Sequence, residues 1–511
     1  MVIYVTLYTE IENYKGVILD KKSISSEVAK TLLSQESTLS RRDAMKLIGA
    51  TGGAAMFVGA TPTEAIASGT DKAVNIIVVG GGAGGIMATV RLSKAAPNAK
   101  ITLIAPNEIH LYQPGQVFMA AGLYTESDIQ AKNSDFVPSS VNWVKDEVTV
   151  FDPDNNKVTT AKNGDIPYDY LVVATGLQYN YEGIEGMTED LVGKHGISSV
   201  YLNNPVEGTA RGGVATAQWF KDMRKAAESA SPQDPIKVIC TQPDTAIKCG
   251  GAPQKILYLS DDNLRGNGPD GGKDVSKNAQ FSFCKKGSTL FGVPDYNRTL
   301  VEEVTPMYGN ITDKFNHVLR KVDAEAKIAT FEHTVLKKGA YDEDLEEYDM
   351  IKTTEMVDMP YDFLHVVPPM QAVDSVASSP LAIPKGSGKG WLECDFDTLQ
   401  HLRYPNVFGI GDILGIPKGK TGGSARHHGP VLVDNLISVI EGKKPTEQFD
   451  GYTVCPLKTQ YGEIMLAEFD YEGKAPSFPL LDPSEPRWVW WAFDLYALKI
   501  MYWQLMMRGL M

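Results

Sequence analysis

The chain has 511 residues, 43% hydrophobic and 22% charged, an ordinary globular composition long enough for two or three domains. Its 63 Asp and Glu against 49 Lys and Arg leave a net charge of -14, which excludes a nucleic-acid role built on clustered cations. Five cysteines (Cys240, Cys249, Cys284, Cys394, Cys455) are too few for a disulfide scaffold, and no CxxC or Cys/His cluster has metal-ligand spacing, so no metal is expected.

Residues 1–39 carry no interpretable motif and stand as an extension of unknown role. In 40–67, Arg41 and Arg42 precede a weakly apolar small-residue run, LIGATGGAAMFVGA, and the triplet Ala65-Ile66-Ala67. Paired arginine, short apolar stretch and A-x-A-like site have the layout of a twin-arginine export signal, which predicts a periplasmic protein. The run is too short and too rich in glycine for a membrane span.

Asn75–Val79 (NIIVV) reads as a buried strand, Gly80-x-Gly82-x-x-Gly85 follows at once, and IMATVRLSKA continues as a helix. The glycines permit a tight turn, close approach of backbone to a pyrophosphate, and close strand–helix packing, while the helix N-terminus favours the phosphates. The second strand, Ile101–Ile104, should end at an acidic residue for a ribose, but position 105 is alanine, leaving Asn107 or Glu108 for that contact. Further on, YDYLVVATG ends in Thr175-Gly176, and NVFGIGD ends in Gly411-Asp412. In this order the three pieces resemble the signature of two-dinucleotide-domain flavoproteins. That resemblance implies FAD, with Asp412 on its ribityl chain.

The wide separation of the pieces predicts an α/β fold of two Rossmann-like dinucleotide-binding domains. An FAD-binding domain, 73–190 and 358–445, is interrupted by an inserted NAD-like domain, 191–357. In the insert, PIKVIC reads as a strand, yet the following TQPDTAIKCGGAPQK holds no second GxGxxG, so a nicotinamide donor lacks a phosphate cradle. A small donor is expected instead. Cys249, between Lys248 and two glycines, is the candidate nucleophile, since a neighbouring cation lowers a thiol's pKa.

The stretches NEIHLYQPG, TAIKCGGAPQKILYLS, FLHVVPPM, LQHLRYPNVFGIGD, and DGYTVCPL through LAEFDY resemble the sulfide:quinone oxidoreductase family, mitochondrial-type branch, from about residue 75 to 505. The resemblance implies that Cys249 is one of two redox cysteines at the flavin. It also implies that Gly80, Gly82, Gly85, Thr175, Gly176, Gly411 and Asp412 bind FAD, and that Gln113, Pro114 and Lys420 lie near the isoalloxazine. The family's second redox cysteine directly follows the Gly-Asp pair, but position 413 is isoleucine, and Arg426, His427 and His428 interrupt a run that is otherwise small. Cys240, Cys284 and Cys394 offer no obvious substitute.

The expected function is therefore oxidation of sulfide, or a related small sulfur donor, by FAD with electrons passed to quinone, despite Ile413. Cys249 would attack or carry the sulfur. The alternatives are an NADH:quinone oxidoreductase-like flavoprotein and a non-catalytic, flavoprotein-derived sulfur-binding protein. At the end of the chain, within the region 446–511, RWVWWAFDLYALKIMYWQLMMRGLM carries only Arg487, Asp494, Lys499 and Arg508 as charges amid Trp and Tyr. This composition predicts an amphipathic anchor resting on a membrane surface rather than a spanning helix. A homo-oligomer is neither required nor excluded.

Overall fold

Short apolar strands alternating with helices pair in parallel, because each crossover helix returns the chain to the same edge of a sheet. The computed structural model describes residues 69–204, 206–342, 347–478 and 481–511; the expected extension 1–39 and the signal 40–67, with Arg41 and Arg42, lie outside them. All elements named below belong to one unit, residues 65–476 and 483–511. In chain order, β1 (Asn75–Val79) leads into α1 (Ala83–Ala95), β2 (Lys100–Ile104), α2 (Gly115–Ala120), β3 (Asn142–Val144) and β4 (Tyr170–Val173). Then come β5 (Ile197–Ser198), α3 (Arg211–Ser229), β6 (Ile236–Thr241), α4 (Ala252–Leu264), β7 (Ala279–Lys285) and β8 (Ile311–Phe315). A meander of β9 (His317–Asp323), β10 (Ile328–Asp342) and β11 (Glu347–Pro360) precedes β12 (Phe363–His365). The chain returns through β13 (Val407–Gly409) and α5 (Gly422–Ile440) and ends in the hairpin β14 (Thr453–Gln460) and β15 (Glu463–Phe469), then α6 (Trp488–Ala492) and α7 (Lys499–Gln504).

Two five-stranded sheets result. The first has the order β13-β4-β1-β2-β3 and is parallel throughout. Its central strand buries Ile76, Ile77, Val78 and Val79 together, the continuous apolar run of a strand covered on both faces. The second sheet, β5-β12-β6-β7-β8, is parallel as well. Each sheet therefore has a central strand, β1 or β6, followed by a turn and a helix, and a ligand crevice opens at the carboxyl ends of such strands.

The second sheet extends past the expected domain boundary at 357/358. Strand β12 lies between β5 and β6, and Asp362 is tied to Lys237 by two bonds: the Lys237 N–H donates to its carboxylate at 2.7 Å and its own N–H donates to the Lys237 carbonyl at 2.9 Å. A short apolar run such as FLHVV fits either sheet from sequence alone, and only pairing decides.

The C-terminal segment packs against the molecule along one side. Trp490, Phe493, Asp494, Leu495, Met501, Tyr502, Met506 and Met507 are buried, whereas Tyr496 and Ile500 are 48% and 60% exposed. The Tyr502 hydroxyl meets His110 Nε2 at 2.5 Å, and Lys499 pairs with Asp128 at 3.0 Å. Among the described residues no helix is long and apolar enough to cross a membrane.

Candidate active site

The glycine turn after β1 adopts the form its sequence requires. Gly80 has φ +122°, and a methyl there would lie 2.2 Å from the Ala174 carbonyl oxygen; one on Gly85 would lie 1.8 Å from the Gly80 oxygen. Turn, helix and β4 can approach only because these positions lack a Cβ. Gly82, Gly176 (φ +72°) and Gly411 (φ +80°) instead face open space, one from each of the three motif pieces. Thr175 Oγ1 is buried without a hydrogen-bond partner. Bare backbone from three strand ends, beside a buried hydroxyl left unsatisfied, fits a dinucleotide with phosphates and hydroxyls to offer. FAD therefore fits the residues present: Gly80, Gly82 and Gly85 would hold its pyrophosphate, and Thr175, Gly176, Gly411 and Asp412 would hold the rest.

The ribose position is built differently from expectation. Asn107 is buried, but its amide donates to the Gly81 carbonyl at 3.1 Å and the Ile109 carbonyl at 3.2 Å, so it braces the glycine turn. Glu108 is exposed and paired with Lys145. The Ala105 carbonyl accepts from Trp143 Nε1 at 3.0 Å.

Cys249 reaches this crevice from the second sheet. The loop after β6 carries it, and its backbone sits at φ +46°, a left-handed conformation uncommon for a side chain with a Cβ. Its N–H donates to the Lys420 carbonyl at 2.9 Å, and its own carbonyl accepts from the Ala252 N–H at 2.8 Å, closing the turn into α4. Tyr201 OH donates to the same carbonyl at 3.2 Å. Neighbouring Lys248 hydrogen-bonds Gln113 Oε1 and the Tyr179 hydroxyl, and Pro114 is the N-cap of α2. The Lys420 ammonium lies 3.7 Å above the Trp391 ring and donates to the Asp412 and Leu414 carbonyls, each at 2.6 Å. Burial raises the Asp412 pKa against the pull of Lys248 and Lys420, and burial lowers Lys420 to about 8 against Asp412. Cys249, Gln113, Asp412 and Lys420 thus converge, although 307 positions of chain separate Gln113 from Lys420.

Several groups here escape sequence reasoning. Lys255, one turn into α4 and 2% exposed, brings its ammonium within 3.4 Å of Cys249 Sγ. Cys455 on β14 donates its S–H to Cys249, which lowers the Cys249 pKa well below the ordinary thiol value, with Lys255 and Lys458 acting in the same direction against burial. The same hydrogen bond, together with burial, raises Cys455. Cys240 and Cys284 remain buried on adjacent strands β6 and β7, and Cys394 is buried upstream of β13, so burial raises all three thiols. The motif YTVCPL held Cys455 in plain view, but nothing local ties it to a loop 206 positions earlier. His428 was visible only as a departure from small residues. Its Nδ1 accepts from the Gly411 N–H at 3.3 Å, its Nε2 has no partner, and burial followed by Lys420 lowers it to about 3, so it is neutral at physiological pH. Ile413 is fully buried in the core of the first sheet.

The turn after β6 carries no glycine fingerprint of the kind that follows β1. It holds Asp244, whose carboxylate accepts two bonds from Arg320 at 3.3 and 2.8 Å, where a nicotinamide dinucleotide needs glycines and donors.

Residues 74–203 match the family model for pyridine nucleotide-disulphide oxidoreductases. The chain is 34% identical over 435 residues to the mitochondrial sulfide:quinone oxidoreductase of Dictyostelium discoideum, covering 85% of this chain and 86% of that one. Its counterpart in Mus musculus is 33% identical over 435 residues, with 85% and 86% covered. The sulfide:quinone oxidoreductase of Aquifex aeolicus has the same fold, with a TM-score of 0.60 at 21% identity over 80% of this chain and 85% of that chain.

Proposed function

Because the chain belongs to the sulfide:quinone oxidoreductase family and is an FAD-dependent oxidoreductase, we propose that it oxidises sulfide, or a related small sulfur donor, and passes the electrons to a quinone. One observation carries this reading: the Cys249 N–H bonds the Lys420 carbonyl, which holds a low-pKa thiol beside the residues that fit FAD. A thiolate there is ready to exchange with sulfur at neutral pH. Bound FAD supplies a two-electron acceptor. Lys248, held by Gln113 and Tyr179, and Lys420, held by two carbonyls, would place positive charge near Asp412, where bound FAD would take up electrons. Cys249 exchanges sulfur, with Lys255 stabilising its thiolate.

The test is anaerobic mixing of the flavin-loaded protein with sulfide and, separately, with NADH, followed by a short-chain quinone. Bleaching by sulfide and recovery with quinone support the proposal. Bleaching by NADH alone, or by neither, overturns it.

Membrane association is part of the same proposal, through the exposed side of the C-terminal segment around Tyr496 and Ile500. Export by the twin-arginine route rests on residues 40–67 alone, while relatives in two eukaryotes are named as mitochondrial. Changing Arg41 and Arg42 to Lys retains flavin-loaded protein in the cytoplasm if the route is used. Unchanged periplasmic delivery refutes it.

A further inference from the structure

The outward side of the C-terminal segment is not uniformly apolar. Tyr496, Ile500 and Leu510 are 48%, 60% and 63% exposed, yet Lys499, Trp503 and Arg508 of the same segment line a cleft of about 360 Å³. The stretch between α2 and β3 closes it with Asp128, Asp135 and Phe136. Phe136 and Trp503 form an aromatic wall, stacked with ring centroids 5.6 Å apart and an interplanar angle of 10°. Lys499 is committed, since its ammonium pairs with Asp128 at 3.0 Å and lies 4.3 Å over the Tyr124 ring. Asp135 and Arg508 are exposed and have no ion-pair partner among the described residues, with the Arg508 guanidinium 5.7 Å from the Phe136 ring centre.

One open cation and one open anion beside an aromatic wall select the ligand. An anion alone would face Asp135, and the net charge of -14 repels anionic surfaces at longer range. A cation alone would face Arg508. A zwitterion satisfies both, its phosphate taking the planar fork of Arg508 and its ammonium the Asp135 carboxylate. Phe136 already carries Trp503 and Arg508, so it offers no open aromatic cage for a quaternary ammonium, and a primary ammonium with N–H donors fits instead. The cleft lies near the lower end of the roughly 300–1,000 Å³ range of small-ligand sites, which is room for a headgroup. Ile500 adjoins Lys499 in the chain and Leu510 follows Arg508 by two residues, so exposed apolar side chains accompany the charged ones, as acyl chains accompany a headgroup. We propose that this cleft binds the phosphoethanolamine headgroup of a membrane lipid, with the phosphate at Arg508 and the ammonium at Asp135. The inference rests on the membrane seating of the C-terminal segment proposed above and adds the lipid that the seat selects.

The full-length, flavin-loaded protein is floated with vesicles of phosphatidylcholine alone, of phosphatidylcholine with phosphatidylethanolamine, and of phosphatidylcholine with phosphatidylglycerol. Partition onto the ethanolamine vesicles should be about tenfold stronger than onto the other two, the scale of one hydrogen bond to a charged group. Arg508→Gln and Asp135→Asn should each remove that preference and leave phosphatidylcholine binding, flavin content and melting temperature as in wild type, since both side chains are exposed. Soluble phosphoethanolamine should abolish the preference without stripping the protein from phosphatidylcholine. Equal partition onto all three vesicles overturns the headgroup site while the membrane reading stands, and so does an ethanolamine preference that survives in both variants. A wild-type preference for phosphatidylglycerol overturns the zwitterion. If soluble phosphoethanolamine raises the melting temperature but ethanolamine in the vesicle adds nothing, the cleft serves a free zwitterion and the lipid assignment is overturned. A protein that floats with none of the vesicles overturns both readings.

Discussion

Replacing Asp494 with alanine tests whether the C-terminal segment is part of the folded core. Lys458 and Asp494 are each 2% exposed and form an ion pair, with the ammonium also 4.3 Å above the Phe118 ring. Burial lowers the Lys458 pKa and Asp494 raises it, while Lys255 and Cys249 also face it, the first repelling and the second attracting its charge. Without Asp494 the ammonium must stay buried and poorly paired or give up its proton. Neutralising a lysine of ordinary pKa at pH 7 costs about 5 kcal/mol, the ceiling on the loss, and breaking buried pairs costs about 3–5 kcal/mol.

The loss should shrink as pH rises. In Asp494→Ala the unfolded chain binds the proton that folded Lys458 has lost, so relative to wild type stability rises with pH below the lysine's unfolded value, at most about 1.4 kcal/mol per unit. Lys458→Met with Asp494→Leu removes both charges and should lie close to wild type. Urea unfolding at pH 5.5, 7 and 8.5 measures both variants. A loss below about 1 kcal/mol in Asp494→Ala, the range of exposed pairs, would refute the buried pair, as would a loss that does not shrink with rising pH.

Two other outcomes follow from the geometry. Gly85→Ala drives a methyl to 1.8 Å from the Gly80 carbonyl oxygen, so the purified protein should lose its flavin, read as the ratio of visible to ultraviolet absorbance. Wild-type flavin content would show that the turn tolerates a Cβ. Changing exposed Tyr496 and Ile500 together to Glu should release the protein from anionic vesicles in a flotation assay and leave its melting temperature within a few degrees, since neither side chain is in the core. Undiminished flotation would put the membrane contact elsewhere.

The sequence alone determined the first sheet and its glycine turn, because each is local. A continuous apolar run makes a covered strand, and glycines spaced as at Gly80, Gly82 and Gly85 make a turn that nothing bulkier can close. The strands ending at Thr175-Gly176 and Gly411-Asp412 were legible for the same reason, and so was the loop bearing Cys249. Tertiary structure alone decided which sheet takes Phe363–His365, since parallel pairing is a property of the neighbours and FLHVV fits either. It also decided that Asn107 braces the glycine turn, and that a segment rich in Trp and Tyr turns Trp490, Phe493 and Tyr502 inward and Tyr496 and Ile500 outward. Above all it brought Cys455 to Cys249. The contact depends on a hairpin folding back onto a helix far away in the chain, and no spacing rule spans that distance, because the sulfurs meet through packing rather than through sequence.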